Sequence, residues 1–202
     1  MAITLRVARP EDAAGVLAIY GPCCESSAIS FELVAPSVEQ MAERIENISA
    51  TYPWLICDLD GDVAGYVYAC QHRERAAYRW AVDVAVYVAE SCRRRGVGQA
   101  LYQTLFSILR RQGFYKAFAG ITLPNPASVG LHEAVGFRPI AVYRGVGYKL
   151  GQWLDVGWWH LDLQPEAENP REPIAFSDLC SDRSIAQALL DGERLVRRGE
   201  SR

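Results

Sequence analysis

The sequence predicts an α+β fold, a mixed and mostly antiparallel sheet with helices on both faces. Seven short apolar segments have strand character and four others carry apolar residues at helical spacing, in the order β-α-α-β-β-β-α-β-α-β-β. Asp60-Gly61 lies between two of the strand segments as a hairpin turn. At 202 residues the chain is long enough for one domain with a full core and short for two.

Each element has its own signal. Ile3–Ala8 is a short strand, and Pro10 with Glu11 and Asp12 starts a helix on which Ala13, Val16 and Tyr20 share a face. Ser37-x-x-Gln40 is a capping box opening a second helix, with Val38, Met41, Ile45 and Ile48 as its apolar stripe. Trp54–Leu59 and Val63–Cys70 form the hairpin, and Ala81–Ala89 is a buried strand rich in β-branched residues. Leu101, Leu105 and Ile108 restore helical spacing, and Tyr115–Leu123 is a further strand. Pro126 starts a short helix that Gly136 ends, and Phe137–Tyr143 and Val156–Leu163 complete the sheet. Residues 1–163 make the domain. Residues 164–202 form a C-terminal extension, a linker-like PEAENPREP followed by a possible amphipathic helix, Ser184–Arg198, through Ile185, Leu189 and Val196.

Composition excludes several classes. Half the residues are hydrophobic, 22% are charged and the net charge is −3, with no dominant basic stripe for nucleic acid. The N-terminal residues lack the apolar core of a signal peptide, and no apolar run approaches the roughly 20 residues of a membrane span. The six cysteines show neither CxxC nor His-paired spacing, so reduced thiols in a cytoplasmic protein without a metal site are expected.

The sharpest chemical signal is Arg93-Arg94-Arg95-Gly96-Val97-Gly98-Gln99, between the buried strand and an amphipathic helix. Glycines let backbone N–H groups approach a phosphate, the helix adds its positive N-terminal end, and arginines add charge-assisted hydrogen bonds. Walker A chemistry is excluded because no GK[ST] follows, and the dinucleotide GxGxxG is incomplete. As ordinary structure the segment is a solvated basic turn.

This loop resembles the R-x-x-G-x-G/A loop of the GNAT acetyltransferases, met here by Arg93, Gly96 and Gly98. The resemblance implies acetyl-CoA on the loop, with Val86, Tyr87 and Val88 offering strand backbone to its pantetheine arm and an N–H near Val86 facing the thioester oxygen. A second block, Asn125-Pro126-Ala127-Ser128 through Leu131-His132-Glu133 to Gly136-Phe137, resembles the family's N-x-x-S…L-[HY]-E-x-x-G-F pattern. Asn125 and Ser128 are then coenzyme contacts, and His132 a candidate general acid alongside an unassigned tyrosine. Their ordinary roles are a helix N-cap for Asn125 and a satisfied interior side chain for His132.

Arg73-x-Arg75 before Ala77-Tyr78, an acidic residue ahead of Val86-Tyr87-Val88, Phe31, and Gly147-Tyr148-Lys149…Trp153…Asp155-Val156-Gly157 resemble the phosphinothricin acetyltransferases within that family. The resemblance spans roughly residues 3–163 and implies a homodimer that acetylates the α-amine of a small anionic amino acid, such as phosphinothricin or an analogue. Three departures stand out: Asp83 replaces the usual Glu, Ala81 and Ala85 replace common hydroxyl residues, and the extension has no counterpart. A substrate ammonium must lose a proton before attack, so Asp83 is the candidate base. Arg73 and Arg75 are candidates for binding substrate anions, with Phe31 and Tyr78 as pocket walls. The ordinary readings are a salt bridge from Asp83 to Arg79 or a neighbouring arginine, and two solvated arginines. Protein N-terminal or lysine acetylation and a non-catalytic acetyl-CoA-binding module are the alternatives.

Overall fold

The computed structural model describes residues 2–197. Seven strands form one sheet: β1 (Ile3–Val7), β2 (Trp54–Leu59), β3 (Asp62–Gln71), β4 (Ala81–Val88), β5 (Lys116–Leu123), β6 (Arg138–Lys149) and β7 (Gln152–Asp162). Their spatial order is β1-β2-β3-β4-β5-β7-β6, and only β4 and β5 run parallel. Helices α1 (Ala13–Glu25) and α2 (Val38–Ser49) cover one face, where Val16, Tyr20, Met41 and Ile45 pack on Trp54, Ile56 and Tyr66. Helix α3 (Val97–Gln112) covers the other through Leu101, Leu105, Ile108 and Leu109, with α4 (Pro126–Ala134) between β5 and β6 in sequence.

Local chemistry explains the boundaries. Asp60 and Gly61 both have positive φ, 55° and 97°, the geometry that joins tightly paired antiparallel strands. Ser37 and Gln40 exchange reciprocal capping bonds at the start of α2. Val38, placed in the apolar stripe by its spacing, is instead exposed. The last two strands are longer than their β-branched content indicates. They form a continuous hairpin across Leu150-Gly151, and β6 bulges between Tyr143 and Gly147, where Asp155 accepts from the Gly145 amide at 2.8 Å.

The extension packs on the same body. Phe176 begins a single turn, α5 (Phe176–Leu179), and is buried in the α3-side core. Its amide bonds the carbonyl of Thr51, and that of Ile174 bonds Gln112. Helix α6 (Arg183–Glu193) lies against α3 and β1, with Glu193 accepting from the Leu5 amide at 3.0 Å. The helix ends before the expected position, and Val196 is buried from the following turn; Arg198 lies outside the described residues. Among the described residues no helix is long and apolar enough to cross a membrane.

Candidate active site

The parallel pair β4–β5 places the site. The strands are in register only from Ala81↔Lys116 to Asp83↔Phe118, whereas β4 stays paired with β3 up to Val88 and β5 with β7 up to Leu123. Val84–Val88, which include Val86, Tyr87 and Val88, therefore diverge from β5 and leave backbone groups on that edge without ladder partners. A gap of this kind accepts an extended amide-bearing chain by strand-like hydrogen bonding.

At the end of β4 the chain turns through Arg93–Gly96 into α3. Arg94 and Gly96 have positive φ, 61° and 83°, and Gly96 is the N-cap. The first intrahelical bond is donated by Ala100 to Gly96, so the amides of Val97, Gly98 and Gln99 start the helix without intrahelical acceptors. Unpaired amides at a helix start can hold a diphosphate, and Arg93 and Arg94 are exposed beside them. The glycines have further duties. A Cβ on Gly98 would come 2.8 Å from Leu131, so its bareness lets α4 approach α3. A Cβ on Gly96 would come 2.9 Å from the Leu195 carbonyl, and the Arg197 amide bonds the Arg95 carbonyl at 2.9 Å. The extension therefore sits directly on this turn, which no local sequence pattern signals.

Asn125 caps α4 by accepting from the Ser128 amide at 3.1 Å, which leaves its amide nitrogen for a ligand. His132, the candidate general acid, sits between α4 and α3. It is only 4% exposed, with Nδ1 2.7 Å from the Ser128 carbonyl and Nε2 2.7 Å from the Tyr102 hydroxyl. Tyr102 donates to Nε2 and Nδ1–H donates to Ser128, which closes both ring nitrogens. Burial lowers the His132 pKa, keeping it neutral, with the Ser128 carbonyl opposing that shift. The side chain ties α4 to α3. Ser128 turns its own hydroxyl toward the same ring, at 3.3 Å, rather than outward.

Asp83 lies on the α1/α2 face of β4, opposite Phe118. Its partner is not Arg79, which is bound to Glu172; Asp83 Oδ1 is 2.6 Å from Nδ1 of His72. Burial pushes the Asp83 carboxyl above its ordinary range, against the His72 hydrogen bond and the charges of His72 and Arg73. His72 had no sequence signal: it is a lone histidine one residue beyond β3. It stacks on Phe118 at 4.4 Å, meets Tyr78 edge-on at 5.8 Å, and lines a cavity of about 450 Å³ with Tyr78, Trp80, Tyr115 and Lys116. Ala167 and Pro170 of the extension close one side of that cavity.

The arginine segment bends instead of running extended, so alternation does not align Arg73 with Arg75. Arg73 donates to the His72 carbonyl at 2.7 Å and lies over the Trp158 ring, 5.8 Å from its centroid. Arg75 is exposed, and its guanidinium has no partner among the described residues. Phe31 is 39% exposed and packs edge-in where a Cβ on Gly147 would overlap its ring. The nearby Lys149 is 4% exposed; its ammonium donates to the carbonyls of Ser30 at 2.6 Å, Glu32 at 2.9 Å and Cys23 at 3.3 Å. Lysines are seldom buried, so composition alone does not point to this one.

A strand gap with unpaired helix amides at one end and a half-buried carboxylate at the other can accommodate acyl transfer. The model of the acetyltransferase (GNAT) domain matches residues 5–158, and the chain belongs to this family of N-acetyltransferases. Within the family, it is 36% identical to the phosphinothricin N-acetyltransferase of Streptomyces viridochromogenes, over 85% of this chain and 94% of that one. It is 33% identical to the L-methionine sulfoximine/L-methionine sulfone acetyltransferase of Pseudomonas aeruginosa, over 84% of this chain and 100% of the relative. Among solved structures, a phosphinothricin acetyltransferase from Sinorhizobium meliloti in complex with AcCoA aligns with a TM-score of 0.78 at 31% identity, covering 87% of this chain and 99% of that one.

Proposed function

We propose that the protein transfers the acetyl group of acetyl-CoA to the α-amine of a small anionic amino acid, such as phosphinothricin or an analogue, by direct attack of the amine on the thioester. The observation that carries this reading is the β4–β5 gap, which runs from the Gly96 turn toward Asp83. Acetyl-CoA fits it: the diphosphate takes the amides of residues 97–99 with Arg93, Arg94 and Arg95, and the pantetheine arm takes the free edge of Val86–Val88 and the Asn125 amide. An edge N–H near Val86 then stabilises the oxyanion. The Asp83 centre removes the proton that the substrate ammonium must lose. Arg75 and Arg73 bind acidic groups, and Phe31 and Tyr78 form walls.

The substrate class is supported by the names of the relatives and by exposed guanidinium groups beside a half-buried carboxylate. We assign residues 1–163 to catalysis and 164–202 to an extension that supports them, in a cytoplasmic homodimer. The dimer is supported by the β6–β7 hairpin, which exposes Val146, Tyr148, Leu150 and Trp153 together, the last at 70%. A thiol-release assay with acetyl-CoA and a panel of amines tests the reading. Release should be greatest with phosphinothricin or methionine sulfone. A preference for peptide N-termini or lysine peptides would replace the substrate class, and no release with any amine would leave a binding module.

A further inference from the structure

His72 belongs to no motif that located the site, yet it makes a 2.6 Å contact at its centre. A carboxylate on Nδ1 fixes the neutral ring with its proton there and leaves the Nε2 lone pair exposed to whatever faces it. The ring is held in place by Phe118, stacked at 16°, and by Tyr78, and the side chain is 12% exposed. Among the described residues no protein group engages Nε2, in contrast to His132, whose two nitrogens are both taken. The imidazole lines the cavity of about 450 Å³ beside Tyr78 and Trp80.

We propose that Nε2 of His72, not the carboxylate of Asp83, takes the proton from the substrate ammonium, while Asp83 orients the ring and stabilises the imidazolium that forms. This rests on the acetyltransferase reading given above. A carboxylate behind an imidazole is a recurrent way of making a weak base act at neutral pH. The step balances simply. The ammonium gives one proton to Nε2, which later passes it to water. The neutral amine forms the C–N bond to the thioester carbon, the C–S bond breaks, and the nitrogen's second proton ends on the departing sulfur.

His72→Asn keeps an amide N–H where Nδ1 was and removes only Nε2. It should lower kcat by roughly 10²- to 10⁴-fold, with the Kd for acetyl-CoA and the Tm close to wild type. The chain has three histidines, so nitrogen-15 spectra of histidine-labelled protein report the His72 tautomer without substrate. The expected form is Nδ1–H in wild type, with the Asp83 carboxylate accepting from it and Nε2 left unprotonated. A kcat within threefold of wild type in His72→Asn, or an Nε2–H tautomer in wild type, overturns the proposal and leaves the acetyltransferase reading standing. Failure of the wild type to acetylate any amine in the panel overturns both.

Discussion

Lys149→Met tests whether the buried ammonium is what shapes the substrate side of the site. The substitution keeps length and apolar volume while removing three charged hydrogen bonds to the carbonyls of Cys23, Ser30 and Glu32. Each such bond contributes roughly 1.5–3 kcal/mol. Methionine avoids the desolvation cost that the buried ammonium bears, which offsets part of this, so the net loss should be about 2–4 kcal/mol. For a chain of this size each kcal/mol shifts Tm by about 2–4 °C, giving a fall of about 4–16 °C in calorimetry. The segment that loses its anchor carries Phe31, whose ring packs against Gly147 two residues before the lysine. Ordering it anew on substrate binding should raise KM for the amine about tenfold, the equivalent of about 1.4 kcal/mol, without moving the KM for acetyl-CoA more than about twofold. Equal changes in both KM values, or an unchanged Tm, would refute the idea that Lys149 pins this segment alone.

Gly96→Ala forces a side chain into φ +83° and toward the Leu195 carbonyl; the left-handed conformation costs roughly 1–2 kcal/mol, and acetyl-CoA binding measured by calorimetry should weaken. Arg75→Ala should reduce kcat/KM about 10- to 100-fold for a doubly anionic amino acid and little for a neutral amine. Arg73→Ala, which also frees the His72 carbonyl, should reduce activity on both. For His132 the sign follows from its depressed pKa: the neutral buried ring adds stability above the unfolded value near 6.5, and that stability declines as pH falls below it. Denaturant titrations of His132→Gln should therefore show a weaker loss of stability between pH 7 and 5 than wild type, and a parallel loss would mean that other groups govern acid sensitivity.

Much of the fold was visible locally because its signals are local. The capping box at Ser37 and Gln40, the Asp60-Gly61 turn and the Gly-rich start of α3 each satisfy their requirements within a few residues. The β6–β7 hairpin was read short because Gly145, Gly147, Gly151 and Gly157 interrupt its strand composition, and their use depends on the partner strand and on Phe31. In the site, Asp83 stood out as a charge inside an apolar strand. His72 and Lys149 did not, since each draws its meaning from residues far along the chain, Asp83 for one and Ser30 for the other. His132 matched a motif, but the motif does not show that Tyr102 occupies its second nitrogen.

The contact between the extension and the Gly96 turn couples two parts of the chain that are distant in sequence. The Arg95 carbonyl receives the Arg197 amide on one side of the same turn whose helix amides are proposed to bind the diphosphate. Any free energy that docking of residues 192–197 adds to ligand binding at that turn must be returned in equal measure, the ligand tightening the dock of α6 on α3 and β1. Hydrogen exchange in α6 should therefore slow on titration with acetyl-CoA, although no α6 residue lines the β4–β5 gap. A helix on the outer side of α3 thereby reports how full the co-substrate cleft is.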